Sequence, residues 1–257
     1  MPIDLNTISQ LRGQTGAGIA DCKKALEEAN GDINLAIEVL RKKGEIKASK
    51  KADRATKEGV ISLAKEDNKV SVVSVACETD FVAKNEDFIN TVNDFAQKAL
   101  SMPEVEFKSW AEGVIKNELV VKIGENLVLN DYAVMQGETI GSYLHFNKKT
   151  CALISLEGGS VDLANDIAMH ATAMAPKWLK PEDVPSEIIE KEKEIYSEVL
   201  KKEGKPEQIL NKIIEGKLAK FYEDNCLLNQ YFVKDDSKKI SEILGEAKIK
   251  EYKRFQI

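Results

Sequence analysis

Apolar residues along the first 44 positions recur at helical spacing and predict three short helices. The first helix is predicted over Pro2–Arg12, and Gly13, Gly16 and Gly18 are expected to break it. The second starts near Ile19 and stops at Gly31, a residue suited to a left-handed helix cap. Asp32 is expected to cap the third helix. The third ends at Gly44 in this interpretation. A charged segment follows, which is either a solvated helix or a mobile tether.

Two β-hairpins are predicted in the middle of the chain, each followed by a helix. The first hairpin joins Gly59–Ala64 to Val70–Cys77, and the second joins Gly141–Phe146 to Thr150–Leu156. The repeated order of hairpin and helix predicts an internal duplication, with the first glycine of each hairpin in an equivalent place. The two copies are expected to form two halves of one α+β core.

A different pattern starts at Ser186, where a thin apolar seam runs between heavily charged faces. It predicts an antiparallel coiled-coil hairpin that turns at Gly204–Pro206. A helix near Lys239–Ala247 and a short strand over Tyr252–Ile257 complete the predicted elements. The fold class is therefore α+β. The predicted division is a helical N-terminal module with its linker over 1–53, a first core half over 54–138, a second core half over 139–183, the coiled coil over 184–223, and a return to the second half with the C-terminal segment over 224–257.

Composition narrows the class of protein. The 257 residues carry a net charge of -6, which argues against broad binding to nucleic-acid phosphates. No apolar run is long enough to span a membrane, and the N-terminus resembles no secretory or transit signal, so a cytoplasmic location is expected. The four cysteines form no C-x-x-C pair and are predicted to be small core residues.

Catalytic motifs are absent from the sequence. Gly216-Lys217 is followed by leucine and does not complete a phosphate-binding loop, and no G-x-S-x-G is present. His145, in a predicted strand, and His170, in a predicted helix, lack metal-site spacing. No metal, cofactor or catalytic residue is predicted. These observations favour a binding protein over an enzyme, although scattered carboxylates leave an unmarked acid–base site as an alternative.

The segment Thr79-Asp80-Phe81-Val82 joins a buried strand to a helix. Local patterning offers two ordinary roles: Asp80 as the cap of that helix, and Phe81 as a core residue. The alternative is that both side chains serve a partner.

Several motifs together resemble those of the bacterial translation elongation factor Ts family. They occur in family order across most of the chain, at Leu11–Leu26, Cys77–Lys84, Lys122–Asn126, Gly141–His145, Ile167–His170 and Lys180–Val184. The resemblance implies a guanine-nucleotide exchange factor that binds elongation factor Tu, either GDP-bound or nucleotide-free, and binds no nucleotide itself. It also implies an N-terminal three-helix module like ubiquitin-associated domains, a two-part α+β core and an inserted antiparallel coiled coil.

The resemblance also implies a mechanism and a set of partner-binding residues. Phe81 would insert between helices of the GTPase, and Asp80 would disturb the surroundings of its magnesium ion, so that GDP leaves faster. Ile19 and Ala20 are smaller than the paired methionines of some relatives. The residues carried over as partner contacts are Thr79, Asp80, Phe81, Val82, Arg12, Ile19, Ala20, Lys23, Ile123, Gly124, His145 and Val233.

Two further alternatives stay open at this point. A chaperone or scaffold for the GTPase would bind it without changing the rate of GDP release. A homodimer could form through the core or through the coiled coil. No direct contact with a membrane or with nucleic acid is expected.

Overall fold

The computed structural model describes residues 3–257, except for the side chains of Glu45, Lys47 and Lys50. Pro2, the predicted start of the first helix, lies outside the described residues. The chain divides into two compact units. The first contains the chain through Met135 together with His145–Thr150 and Phe255–Ile257, and the second contains Gln136–Leu144 and Cys151–Arg254. The fold class is α+β with antiparallel sheets, as predicted.

Three helices open the first unit and enclose a small apolar core that includes Leu11 and Leu26. They are α1 (Leu5–Thr15), α2 (Ile19–Glu28) and α3 (Ile33–Lys51). Of the glycines predicted to break the first helix, Gly16 ends it: Gly16 adopts a left-handed φ of 66° and donates its N–H to the Arg12 carbonyl at 2.8 Å. A break at Gly13 is wrong, because α1 continues for two residues beyond it.

The predicted end of the third helix at Gly44 is also wrong, since α3 runs on to Lys51. Gly44 serves close packing there. A Cβ at this position would lie 2.7 Å from the Val121 side chain and 2.9 Å from the Lys116 carbonyl oxygen. The prediction that Asp32 caps this helix is confirmed, because its carboxylate accepts the Leu35 N–H at 3.0 Å.

The rest of the first unit is a three-stranded sheet covered by helices. Its strands, in the spatial order β1-β2-β3, are β1 (Glu58–Glu66), β2 (Lys69–Cys77) and β3 (Val128–Gln136). Its helices are α4 (Asp80–Ala83), α5 (Glu86–Ser101), α6 (Glu104–Val114) and, after one π-helical turn at Ile115–Leu119, α7 (Val120–Ile123). Buried Phe88 and Phe95 of α5 pack on the sheet. The first predicted hairpin is confirmed, with a two-residue turn at Asp67-Asn68.

The second unit contains a sheet in the order β4-β5-β8 and a small hairpin, β6-β7. Its elements are β4 (Thr139–Leu144), β5 (Thr150–Glu157), α8 (Val161–Met174), α9 (Ser186–Lys202), α10 (Glu207–Asn225), β6 (Tyr231–Phe232), β7 (Asp235–Lys239), α11 (Ile240–Ile243) and β8 (Lys248–Gln256). Two predictions need correction. The last helix spans one turn only, because Gly245 takes a left-handed φ of 58° and the final strand begins at Lys248. His145 follows β4 and is not part of it.

Each sheet therefore contains a hairpin whose first strand packs against the following helix. The two glycines predicted to be equivalent meet different neighbours, however. A Cβ on Gly59 would meet β2, whereas one on Gly141 would meet the backbone of α8. All four cysteines are buried and free, which confirms their predicted place in the core. Among the described residues, no helix has the length and apolar character needed to cross a membrane.

Candidate protein-binding surface

The Thr79–Val82 segment is a sharp junction between β2 and α4. Thr79 has extended dihedrals, and its hydroxyl accepts the Val82 N–H at 3.4 Å, so Thr79 is the N-cap of α4. The prediction that Asp80 caps the helix is wrong. Asp80 is the first helical residue, where its negative charge lies near the positive end of the helix.

Phe81 lies on the outer side of this short helix and is 84% exposed. The alternative that Phe81 enters the core is therefore wrong. The neighbouring Val82 and Ala83 instead face the core of the first unit, where they are partly buried. An exposed phenylalanine held between a capped junction and two anchored neighbours is an apolar group available to a partner.

Asp80 forms an ion pair with Lys84, one helical turn further on, with Oδ2 and Nζ 2.7 Å apart. The hydrogen bond from Lys84, with the attraction of its charge, lowers the pKa of Asp80. The same contact raises the pKa of Lys84. Both side chains reach solvent, so the pair adds little to stability. Its consequence is that Asp80 presents an ionised carboxylate beside Phe81.

Ile123 and Gly124 lie near the same junction. Helix α7 ends at Ile123, and Gly124 adopts a left-handed φ of 83°, which turns the chain back towards residues 78 and 79. Glu125 then accepts hydrogen bonds from the backbone N–H groups of Glu78 and Thr79, both at 3.0 Å. The structure thus brings two predicted contact segments together, although they are far apart in sequence.

A groove of about 330 Å³ lies between Phe81 and Ile123. It is lined by Phe81, Val82, Asn85, Asp87, Phe88, Thr91, Leu119, Lys122 and Ile123. The Lys122 ammonium pairs with the Asp87 carboxylate at 3.3 Å along its edge. Apolar walls with a charged edge suit a protein side chain that is itself partly apolar.

The predicted contacts of the N-terminal helices are all exposed. Arg12 lies in the last turn of α1, while Ile19, Ala20 and Lys23 share one side of α2 at helical spacing. The turn between these helices touches the groove side of the unit, because a Cβ on Gly16 would lie 3.1 Å from the Lys122 side chain. These four residues therefore belong to the same unit as Phe81.

His145 lies at the tip that connects β4 and β5, and this tip is part of the first unit. Its ring centroid is 4.4 Å from that of Phe146, which is 87% exposed. Backbone contacts fix the tip, since Ile61 donates its N–H to the Lys148 carbonyl at 2.7 Å. Sequence reasoning missed Phe146. Its aromatic side chain at a polar hairpin turn was the available signal.

Val233 belongs to the second unit and lies in the turn between β6 and β7, with 48% of its surface exposed. Its N–H donates to Nδ1 of buried His170 at 3.1 Å. The other ring nitrogen of His170, Nε2, lies 3.0 Å from Oε1 of Gln230, whose amide nitrogen donates to the Asp224 carbonyl. This pattern assigns the proton to Nε2 and makes His170 a neutral residue that holds the Val233 turn.

Burial lowers the pKa of His170, against the opposing effect of its hydrogen bond with Gln230. Below the pKa of about 6.5 that histidine has in an unfolded chain, unfolding takes up a proton that the folded protein does not bind. We therefore expect the unfolding free energy to fall as pH decreases from about 6.5 towards the lower folded pKa, by at most about 1.4 kcal/mol per pH unit.

Urea unfolding of the wild type and of His170→Asn at about pH 7 and about pH 5.5 measures this effect. Asparagine keeps an acceptor for the Val233 N–H and does not titrate. The loss of stability on acidification should therefore be smaller in the variant. An equal loss in both proteins would contradict a neutral, buried His170.

Within residues 3–257, no group of three or more histidine, cysteine or acidic side chains is arranged to hold a metal ion. The surface described above consists instead of an exposed aromatic residue, an ionised carboxylate and a groove on the first unit. The arrangement has the character of a protein-binding surface.

Comparisons with known proteins identify the family of this chain. A family model described as Elongation factor TS matches residues 78–257. A protein named Elongation factor Ts from Hydrogenobaculum sp. is 44% identical over 272 residues, which cover 100% of this chain and 99% of the relative. Proteins of the same name from Deinococcus deserti and Deinococcus radiodurans are 41% and 42% identical, and each alignment covers 98% of this chain and 99% of the relative.

Proposed function

The chain belongs to the elongation factor Ts family, and we propose that it is the guanine-nucleotide exchange factor of elongation factor Tu. It binds the GDP-bound GTPase and promotes release of GDP, which allows GTP to bind during translation elongation. In this proposal the chain acts in the cytoplasm by binding alone and catalyses no reaction of its own. It contacts no membrane or nucleic acid and carries no nucleotide.

The observation that supports this proposal most directly is the exposure of Phe81 on a fixed junction. Burying a phenylalanine side chain contributes about 1.5–3 kcal/mol. In the free protein that contribution is not realised, because Phe81 is 84% exposed. When a partner buries the ring, the complex gains this free energy of burial. The gain stabilises a conformation of the GTPase that binds GDP more weakly.

Asp80 provides the second part of the proposed mechanism. Its carboxylate stays ionised beside Phe81, so insertion of the ring brings a negative charge with it. A negative charge near the magnesium and phosphate site weakens the electrostatic attraction that holds the diphosphate there. Weaker magnesium binding removes the main counter-charge of GDP, and GDP dissociates faster.

The remaining predicted contacts are proposed to meet the same partner. Arg12, Ile19, Ala20 and Lys23 would meet the GTPase domain beside the Phe81 groove. Ile123 and Gly124 would approach the phosphate-binding region. His145 and Val233 would supply additional contacts.

We add Phe146 to the proposed contacts. It is more exposed than Phe81, and its ring packs at a tilt against that of His145. A partner that approaches His145 would therefore meet the Phe146 ring as well.

The finer division of the fold is part of the proposal. We assign α1–α3 to a module like ubiquitin-associated domains and 184–223 to an antiparallel coiled coil. The short turn between α9 and α10 and the burial of Leu200, Leu210 and Leu218 support the second assignment. The boundaries at 53, 138, 183 and 223 and the duplication of the core stay predictions, as does a homodimer through the core or the coiled coil.

Stopped-flow release of a fluorescent GDP from elongation factor Tu tests the function. The release rate should rise with the concentration of this chain and reach a limiting value. Thermodynamic linkage adds a second requirement: GDP must weaken binding of the chain by the same factor as the chain weakens binding of GDP. If the chain binds the GTPase but leaves the GDP release rate unchanged, it is a chaperone or scaffold and the proposal is wrong.

A further inference from the structure

The side chain of Glu125 lies directly under the Thr79–Val82 junction and accepts three hydrogen bonds there. Its Oε2 accepts the N–H groups of Glu78 and Thr79, each at 3.0 Å. Its Oε1 accepts the Thr79 hydroxyl at 2.5 Å. One carboxylate therefore satisfies three donors at the point where β2 becomes α4, which is a charge-assisted and geometrically demanding arrangement.

The third of these bonds also orients the helix cap. Since the Thr79 hydroxyl donates its proton to Glu125, its lone pair is free to accept the Val82 N–H. A return contact closes the arrangement, because the backbone N–H of Asn126 donates to Oε1 of Glu78 at 2.6 Å. Residues 78–79 and 125–126 are thus held to each other in both directions.

Glu125 reaches this place through the turn at Gly124. A Cβ on Gly124 would meet no atom within 4 Å, so lack of space does not explain the glycine at this position. The left-handed φ of 83° explains it, because glycine adopts this conformation readily. The same turn exposes Gly124 next to Ile123. Glu125 therefore lies between the two segments to which we assign the closest contacts with the GTPase.

We propose that Glu125 is a positioning residue for nucleotide exchange. It fixes the junction so that Phe81 and Asp80 already have the conformation that enters the partner, and it couples them to the Ile123–Gly124 turn. This inference rests on the proposed exchange function. Ordering the junction before the encounter removes an entropic cost that the complex would otherwise bear, and it aligns the carboxylate of Asp80 with the inserted ring.

Substitutions at Glu125 separate this role from a merely structural one. Alanine removes all three acceptors. Glutamine keeps one oxygen for the two N–H groups and offers its amide N–H to the Thr79 hydroxyl oxygen, so the junction keeps its shape. Aspartate keeps the charge but withdraws the carboxylate by one methylene, and it serves as the second disrupting variant if the alanine protein does not fold. Glu106→Ala, at an exposed position on α6, is the matched control.

The assay measures fluorescent GDP release from elongation factor Tu over a range of exchange-factor concentrations. Glu125→Ala should lower the limiting rate roughly ten-fold or more, with a much smaller change in the half-saturating concentration. Glu125→Gln should stay within about five-fold of the wild type. In the free chain, amide hydrogen exchange at Thr79 and Val82 should be faster in Glu125→Ala than in the wild type or in Glu106→Ala.

Two results would overturn the inference in distinguishable ways. If Phe81→Ala loses the acceleration while Glu125→Ala and Glu125→Asp keep the wild-type limiting rate, Glu125 does not position the junction, and the exchange function stands. If the wild-type chain itself does not accelerate release, the proposed exchange function is wrong. The inference about Glu125, which rests on it, is then wrong as well. In that second case, unchanged hydrogen exchange in Glu125→Ala would show that the hydrogen bonds do not order the junction either.

Discussion

Replacing Phe81 by alanine is expected to lower the limiting rate of GDP release by roughly ten-fold to a hundred-fold. This range corresponds to the loss of about 1.5–3 kcal/mol from burial of one phenylalanine ring in the complex. The fold should be unaffected, because the ring is 84% exposed in the free chain. Stopped-flow release of fluorescent GDP measures the rate, and thermal unfolding checks the stability.

Val105→Ala is the matched control for this experiment. Val105 is 82% exposed at the start of α6 and lies outside the proposed surface. Its truncation should leave both the release rate and the unfolding temperature at wild-type values. If Phe81→Ala keeps the full limiting rate, or if Val105→Ala loses as much, insertion of Phe81 is not the source of the acceleration.

Asp80→Asn in the same assay separates charge from shape. Asparagine keeps the size of the side chain but removes the negative charge, so the limiting rate should fall if that charge acts on the magnesium site. The variant also breaks the ion pair with Lys84. Lys84→Gln breaks the same pair and leaves the Asp80 carboxylate in place, so it should keep the acceleration that Asp80→Asn loses.

The sequence was a good guide wherever a pattern was local. A polar turn followed by a strongly β-branched strand predicted the first hairpin, and Asp32 was recognised as a cap because the residues involved are three positions apart. The positions of glycine residues alone did not predict where every helix ends. Gly44 was taken as a helix end, but it permits the approach of α3 to Val121 and Lys116, a requirement set by residues more than 70 positions away.

The candidate surface shows the same limit. Local patterning favoured Asp80 as the helix cap and Phe81 as a core residue. Both predictions used information from within the segment only. The position of the segment depends on Glu125, which forms its hydrogen bonds 46 and 47 residues further along the chain. The resemblance to the family pointed to this segment, whereas the side chain that forms hydrogen bonds beneath it is seen only in the folded structure.

The largest expected effect on stability comes from Gly141→Ala in the second unit. Gly141 lies in β4, and a methyl group there would overlap the backbone of Ala164 and Asn165 in α8. Backbone atoms cannot move aside as a flexible side chain can, so helix and strand must separate. That movement would also strain the bond from the Ser142 N–H to the Asn165 side chain, now 2.9 Å long. We expect the unfolding free energy to fall by about 3 kcal/mol or more.

Gly216→Ala tests the same chemical change in the same unit without the overlap. Gly216 lies inside α10, and a Cβ there would meet no atom within 4 Å. Alanine at an open helical position should raise the unfolding free energy by about 0.5–1 kcal/mol. Urea unfolding, with hydrogen exchange at the β5 amides, measures both changes, and their opposite signs exclude a general effect of replacing glycine by alanine.

The consequence of Gly141→Ala reaches the Val233 turn of the same unit through α8. This helix carries His170, whose Nδ1 accepts the Val233 N–H. A displaced α8 should release the Val233 turn, so exchange of the Val233 amide should accelerate more than the loss of global stability alone requires. If Gly141→Ala unfolds at the same urea concentration as the wild type, β4 and α8 separate at little cost in free energy. The hydrogen bond from Val233 to His170 would then depend on the β6–β7 hairpin and not on the spacing of helix and sheet.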